Sequence, residues 1–217
     1  MFYEPDKNNH GLRFNPFKSI CVPRPIAWVS SLSLDGVPNL APFSQFTNLS
    51  FDPPMVVISA RFGTDTARNV NATSEFVVNM ATYELREAVN ITGSAVEPEI
   101  DEAKLAGLEM IPSKLVKPPR VAASPVHLEC RYHCTLALPG RNLEQSHYVV
   151  IGQVIGVHIK DEAITPEGRI DVLKLRPLAR LGYHDYTSVE SCFTMPPIGP
   201  HAEIRMAGLA GKPLADK

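Results

Sequence analysis

The feature that most constrains this chain is its punctuation: short β-prone runs are cut repeatedly by proline and glycine, and the helical patterns between them are few and brief. The segment from Pro23 to Ala60, PRPIAWVSSLSLDGVPNLAPFSQFTNLSFDPPMVVISA, sets the pattern. Ile26, Trp28 and Ser30 alternate with Ala27, Val29 and Ser31, which is the period of a strand. Asp35-Gly36 supplies a turn with a positive φ, and Pro38 stands where a central strand cannot continue. Ala41 to Asn48 mixes small, aromatic and amide residues with neither strand nor helix period, so it reads as a loop of the kind that lines ligands on a rigid sheet. Asp52-Pro53-Pro54 stops it, and Met55 to Ala60 reads as a buried strand.

Downstream, Thr64 or Asp65 begins a short helix to about Ala72. Glu75–Met80 is a strand, Tyr83–Ile91 an amphipathic helix closed by Gly93, and Asp101–Leu108 a second short helix. Ile111–Pro125, with four prolines, is a connector. Val126–Leu136 is the clearest strand, with Val126, Leu128, Cys130, Tyr132, Cys134 and Leu136 on one face and His127, Glu129, Arg131, His133 and Thr135 on the other. Pro139–Asn142 turns the chain. Tyr148–Ile159 returns as a strand apolar on both sides. Ile170–Leu173 and Leu178–Tyr183 complete the strand candidates. A set of strands like this one predicts a closed or half-closed barrel, which removes exposed edges.

Length and charge narrow the function. The 217 residues fit one domain with an extension. Lys plus Arg number 21 against 23 Asp plus Glu, scattered, so nothing favours nucleic acid or an anionic membrane. The start lacks the basic and apolar runs of a signal peptide, and no apolar stretch has membrane-spanning length. Cys130 and Cys134 lie about 13 Å apart on a strand, too far for a disulfide. Reduced thiols in a cytoplasmic protein are therefore expected. His127 and His133 lie about 20 Å apart along their strand and cannot share an ion. With Glu129 they read as a polar outer face or a partner-facing patch, and no metal is expected. His158 reads as a satisfied core histidine and Cys21 as structural.

RPIAWVSS, NLAPFSQFTNLSFDPP and GTDTARN, in that order and spacing, resemble the flavin reductase-like, FMN-binding split β-barrel family, which includes flavoredoxin-type proteins. The resemblance runs from about Asn15 to Tyr186. It implies a mainly β fold, an FMN-binding split β-barrel with a few short helices. The barrel domain would span 1–190 and an extended C-terminal tail 191–217. The tail reads either as disordered or as an arm lying on the partner of a homodimer with FMN near its interface.

FMN needs donors for its phosphate, amide or backbone partners for its ring edge, and a flat slot. A helix opening just past a strand presents free N–H groups to a phosphate. Ser59, Ala60, Arg61, Thr66 and Asn69 bracket that junction and match the family's phosphate segment. Pro42, Phe43, Ser44 and Asn48 are the expected ring-edge contacts, with Trp28, Ser30 and Ser31 beneath the ring. Ser44 reads equally as a turn residue and Trp28 as plain core. Arg180 to Tyr186 matches the family's closing segment, in which Leu181 or Tyr183 replaces a glycine. Arg180 is a cofactor candidate there. His184 is the catalytic candidate, facing the flavin or an incoming nicotinamide, with a surface histidine as the alternative.

No nucleophile elbow, zinc-protease or phosphate-loop motif is present. Hydride transfer from NAD(P)H to flavin needs stacking and orientation more than side-chain acids and bases. The expected function is thus an FMN-dependent NAD(P)H:flavin oxidoreductase, with a partner monooxygenase or redox protein as possible recipient of its electrons. A flavoredoxin-like electron carrier and a non-catalytic flavin-binding protein are the alternatives.

Overall fold

The computed structural model describes residues 1–200 and 202 of the chain. A single turn of 3-10 helix at Pro16–Ser19, capped by Asn15, precedes β1 (Arg24–Pro25). β2 (Ala27–Leu32) and β3 (Pro38–Phe43) form a hairpin closed at Ser33 N–H to Val37 O, 2.9 Å. Gly36 at its tip has φ 81°, as the Asp-Gly signal requires. β4 (Phe46–Phe51) and β5 (Pro54–Arg61) form a second hairpin. Then follow α1 (Asp65–Thr73), β6 (Glu75–Met80), α2 (Arg86–Ile91) and α3 (Glu102–Leu105). The chain continues through β7 (Met110–Ile111), β8 (Arg120–Val121), β9 (Val126–Leu138) and β10 (His147–Ile159). It closes with α4 (Val172–Leu175), β11 (Leu178–Gly182) and β12 (Asp185–Ser188).

The main sheet has seven antiparallel strands in the order β3-β2-β6-β9-β10-β5-β4. β1, β11 and β12 make a separate small sheet. The barrel interior holds Ala27, Val29, Ile58, Phe76, Val78 and Val150, and Val70 of α1 joins it. Behind β2, a second apolar layer packs Ile26, Trp28 and Leu40 against Val89 of α2, Ala103 of α3 and Val121 of β8. β2 is thus covered on both faces, which is why every residue from Ala27 to Ser31 is buried. Mid-strand Gly152 has a steric cause: a Cβ there would stand 2.4 Å from the Phe76 ring.

Several expectations are corrected. The loop expected over Ala41–Asn48 shrinks to Ser44 and Gln45, because β3 pairs with β2 as far as Phe43 and β4 resumes at Phe46. Pro38 opens an edge strand instead of ending one, a position where no ladder N–H is demanded. Ile170–Leu173 is not a strand: Ile170 makes one bridge to Ile164, and Asp171 caps the helical turn α4 through Lys174 N–H. The helix expected over Asp101–Leu108 covers only Glu102–Leu105, capped by Asp101. Tyr83–Ile91 begins as a 3-10 turn before α2. β7, β8 and β12 carried no usable signal. Residues 189–198 have no regular structure, and most of the expected tail (191–217) lies outside the described residues.

The polar face assigned to β9 is also corrected. One residue is inserted on β9 between Tyr132 and Cys134, and one on β10 between Val154 and Gly156, so face alternation resets along the pair. Cys130 is fully buried and Cys134 exposed, although they lie four positions apart on one strand; all four cysteines are free thiols. His127 and Glu129 are buried beneath the proline-rich connector. Glu129 accepts from Lys114 N–H at 2.8 Å, Leu115 N–H at 2.6 Å and His158 Nε2 at 2.5 Å. Burial raises its pKa, but these donors outweigh that and hold it below the usual carboxylate range. Among the described residues no group of three or more His, Cys, Asp or Glu side chains is placed to hold a metal ion.

Burial pushes the imidazole of His127 down from 6.5 to about 4; its bond to the Val121 carbonyl opposes that, and the charges of Arg120 and His158 reinforce it. Between pH 6.5 and 4 an unfolded chain therefore carries a proton at this residue that the folded chain refuses. Stability should fall as pH drops through that window, by up to about 3 kcal/mol at ~1.4 kcal/mol per unit. Urea unfolding at pH 7 and pH 4.5 checks this: the loss should be smaller in H127Q by roughly that amount, and an equal loss in both proteins would contradict the assignment.

Candidate functional site

The strand-to-helix corner after β5 carries five of the fourteen candidates: Ser59, Ala60, Arg61, Thr66 and Asn69. β5 ends at Arg61, and the chain turns with Thr64 N–H to Arg61 O at 3.3 Å. Thr64 occupies the N-cap position in extended geometry, but its hydroxyl turns back to the Arg61 carbonyl at 3.1 Å. Among the described residues no side chain therefore caps α1, so its first-turn N–H groups lack a side-chain acceptor, with Asp65 half-buried and Thr66 and Ala67 buried. Asp65 places a carboxylate there, and Arg68 one turn on pairs with it.

Three of the predicted residues meet inside the fold. Asn39 of β3 donates to Thr66 Oγ1 at 2.8 Å and to Ser31 Oγ at 3.3 Å, and Asn69 donates to the same Ser31 oxygen at 3.3 Å. All four are buried, with Thr66 1% and Asn69 3% exposed. Sequence reasoning picked Ser31, Thr66 and Asn69 but missed Asn39, which joins them. This cluster seats α1 on the sheet. Ser31 and Thr66 each accept amide protons, so their own hydroxyl protons stay uncommitted within it.

Ser59 and Arg61 face the other way, onto the outer surface of the sheet. The ladder places Arg61, His147 and Leu138 side by side across three strands, and Ser59, Val149 and Leu136 beside them. Ser59 Oγ lies 3.3 Å from Nδ1 of His147. This second missed residue was identifiable only from strand register. Ala60 turns into the barrel and is 1% exposed, so only its backbone can meet a ligand. Leu136 and Leu138 are exposed, which leaves the outer face beyond the corner apolar.

Pro42, Phe43 and Ser44 form a half-buried rim, and Asn48 is exposed on β4. The end of α2 backs this rim: a Cβ on Gly93 would stand 3.3 Å from Pro42. Trp28 and Ser30 do not belong to the corner. The Trp28 ring is fully buried behind β2, its Nε1 donating to Thr92 Oγ1 at 2.8 Å. Ser30 donates to the Pro119 carbonyl at 2.5 Å and accepts from Asn79. Arg180 is held within the last hairpin by the Tyr186 hydroxyl and the Tyr183 carbonyl. His184 lines a cavity of about 580 Å³ between α2 and β12, with Tyr83, Arg86, Asn90 and Tyr186. Neither Ser59, Arg61 nor the Pro42–Ser44 rim lines that cavity.

The fold is that of the split-barrel flavoproteins. Residues 19–186 match the flavin reductase like domain, and the chain belongs to that family. An uncharacterized protein of Halalkalibacterium halodurans is 34% identical, over 90% of this chain and 95% of its own. Among solved structures, nitrilotriacetate monooxygenase component B from Bacillus cereus superposes with TM-score 0.83 at 28% identity, over 90% of this chain and 98% of that one. A 2-nitrobenzoate 2-nitroreductase of Pseudomonas fluorescens gives 0.79 at 28% identity, over 92% and 98%. Flavoredoxin of Desulfovibrio vulgaris shares the fold with TM-score 0.72 at 19% identity, over 86% and 95%.

Asn39→Ala would leave the buried Thr66 hydroxyl without its amide donor and Ser31 with Asn69 alone, which costs about 1–3 kcal/mol. Hydrogen exchange should localise that loss, with the amides of α1 exchanging faster relative to those of the β9–β10 ladder. Uniform acceleration across both would show that the cluster does not seat the helix specifically.

Proposed function

We propose that this protein is an FMN-dependent oxidoreductase of the NAD(P)H:flavin reductase type. The observation that carries the reading is the uncapped start of α1, four residues past the end of β5, with Ser59 and Arg61 on the outward face of that strand. The donor set fits a phosphate monoester: backbone N–H groups, one hydroxyl and one guanidinium, with the carboxylate of Asp65 already paired to Arg68. The rim Pro42–Ser44 offers backbone groups and a hydroxyl to the edge of a planar ring. When bound, FMN supplies hydride acceptance at its N5 atom. The task of the chain is then to bind the phosphate, orient the ring and exclude water from its covered face. No strong acid or base is required of it, in keeping with a corner built from amides, hydroxyls and cations.

The 28% identity to a monooxygenase component B over nearly the full chain supports a role in delivering reduced flavin to a partner enzyme. NAD(P)H is the hydride donor in this reading, which requires its nicotinamide to stack on the ring at the corner. The protein is a homodimer in this reading, because Leu136 and Leu138 expose apolar surface next to the corner and a planar ring needs a second wall.

Purified protein that is yellow, and that NADH or NADPH bleaches rapidly without oxygen, supports the reductase. A yellow protein that neither nucleotide bleaches would make it an electron carrier or a flavin-binding protein without turnover. Arg61→Ala should weaken FMN by about 1–2 kcal/mol, roughly five- to thirtyfold; an unchanged dissociation constant would remove the corner from the phosphate site. Light scattering should return the mass of two chains for the wild type and of one chain for L138E.

A further inference from the structure

We infer that His147 is a positioning residue that sets the direction of the Ser59 hydroxyl proton and thereby the preference for a phosphorylated flavin. The inference rests on the phosphate reading of the corner given above.

Three observations carry it. His147 opens β10 directly across the ladder from Arg61, so both side chains rise from the same face of the sheet. Its Nδ1 lies 3.3 Å from Ser59 Oγ, the hydroxyl one step back along β5. Both residues are half-buried, which is enough to restrict their rotamers while leaving the corner reachable.

A proton count distinguishes the two states of this contact. A serine hydroxyl has one proton and two acceptor lone pairs. A phosphate monoester near neutral pH is largely a dianion, and it only accepts. If Ser59 spends its proton on Nδ1, its oxygen turns lone pairs toward the phosphate and repels it. If Nδ1 carries the proton instead, it donates to Oγ, and the Ser59 proton is free to point at the phosphate. The useful state therefore has His147 protonated at Nδ1, whether as the neutral tautomer or as the cation. The same contact in the opposite tautomer would turn the corner against an anion. Riboflavin has the same ring and ribityl chain without the phosphate, so it is indifferent to that choice.

The test measures dissociation constants of FMN and riboflavin by flavin fluorescence for wild type, S59A, H147L, H147N and S59A/H147L. An asparagine amide nitrogen falls about where Nδ1 stands and always carries protons, so H147N keeps the donor that H147L removes. The expected result is that H147L weakens FMN about tenfold or more, leaves riboflavin unchanged, and adds nothing in the S59A background. H147N should bind FMN within about threefold of the wild type. The proposal is overturned if H147L leaves FMN binding intact, or weakens both flavins alike. It is also overturned if its effect in S59A is as large as in the wild type. A wild-type protein that holds FMN no tighter than riboflavin would overturn the phosphate corner itself, a failure distinct from that of His147.

Discussion

The hydrogen bond from Asn39 to Thr66, with the Ser31 and Asn69 contacts around it, fixes the geometry on which the candidate site depends. Ala67 and Val70 bury α1 against the barrel, but apolar contact is non-directional and permits a helix to slide or rotate by small amounts. Amide-to-hydroxyl bonds in a buried setting are directional, and breaking them strands polar groups at a cost larger than the bonds' own net worth. They therefore specify where the helix begins relative to the end of β5. The edge strand that supplies Asn39 is itself held. Leu40 N–H, on a strand that stands at the sheet edge among the described residues, donates at 3.0 Å to the buried carboxylate of Glu102, the first residue of α3. Burial raises the pKa of Glu102, and the Leu40 bond resists that rise. One buried acid thus closes a sheet edge and, through β3, helps seat the helix.

Sequence periodicity revealed most of the barrel and failed where the chain departs from strict period. The strands from Val126 and Tyr148 were legible because β-branched and apolar residues mark them throughout. Their bulges were not, since one inserted residue leaves composition unchanged while reversing which face each later side chain takes. The proline-rich connector was equally opaque. Its prolines mark it as irregular, yet its remaining N–H groups at Lys114 and Leu115 turn Glu129 from a surface acid into a buried anchor. The short β12 pairs with β11 through residues such as Tyr186 and Thr187, whose local pattern is no different from that of a loop.

The candidate site divides in a similar way. The blocks around Pro42–Ser44 and Ser59–Asn69 were legible because turn chemistry and helix-start signals are local. The direction of each side chain was not. Trp28, Ser30 and Ser31 sit within four residues of one another, but β2 is buried on both sides, so alternation alone could not say which of them meets α1. Asn39 and His147 were missed because each acts across strands, and nothing within a few residues of either marks it. Both become visible once register is known: Asn39 pairs with Ser31, and His147 with Arg61.

Register also explains why the corner opens onto a surface instead of a cleft. Ser59, Arg61 and His147 lie on the outer face of the sheet, and the same face continues as Leu136, Val149 and Leu138, of which the two leucines are exposed among the described residues. A single sheet face can grip a phosphate at its rim, because point-like donors suffice for that. It cannot enclose a flat ring, which needs surface on both sides to expel water. In the proposed dimer the apolar residues beside the corner serve two ends at once, packing the second chain and placing its surface over the ring. Cofactor retention and dimer formation then become linked equilibria, each favouring the other through the same few square nanometres of sheet.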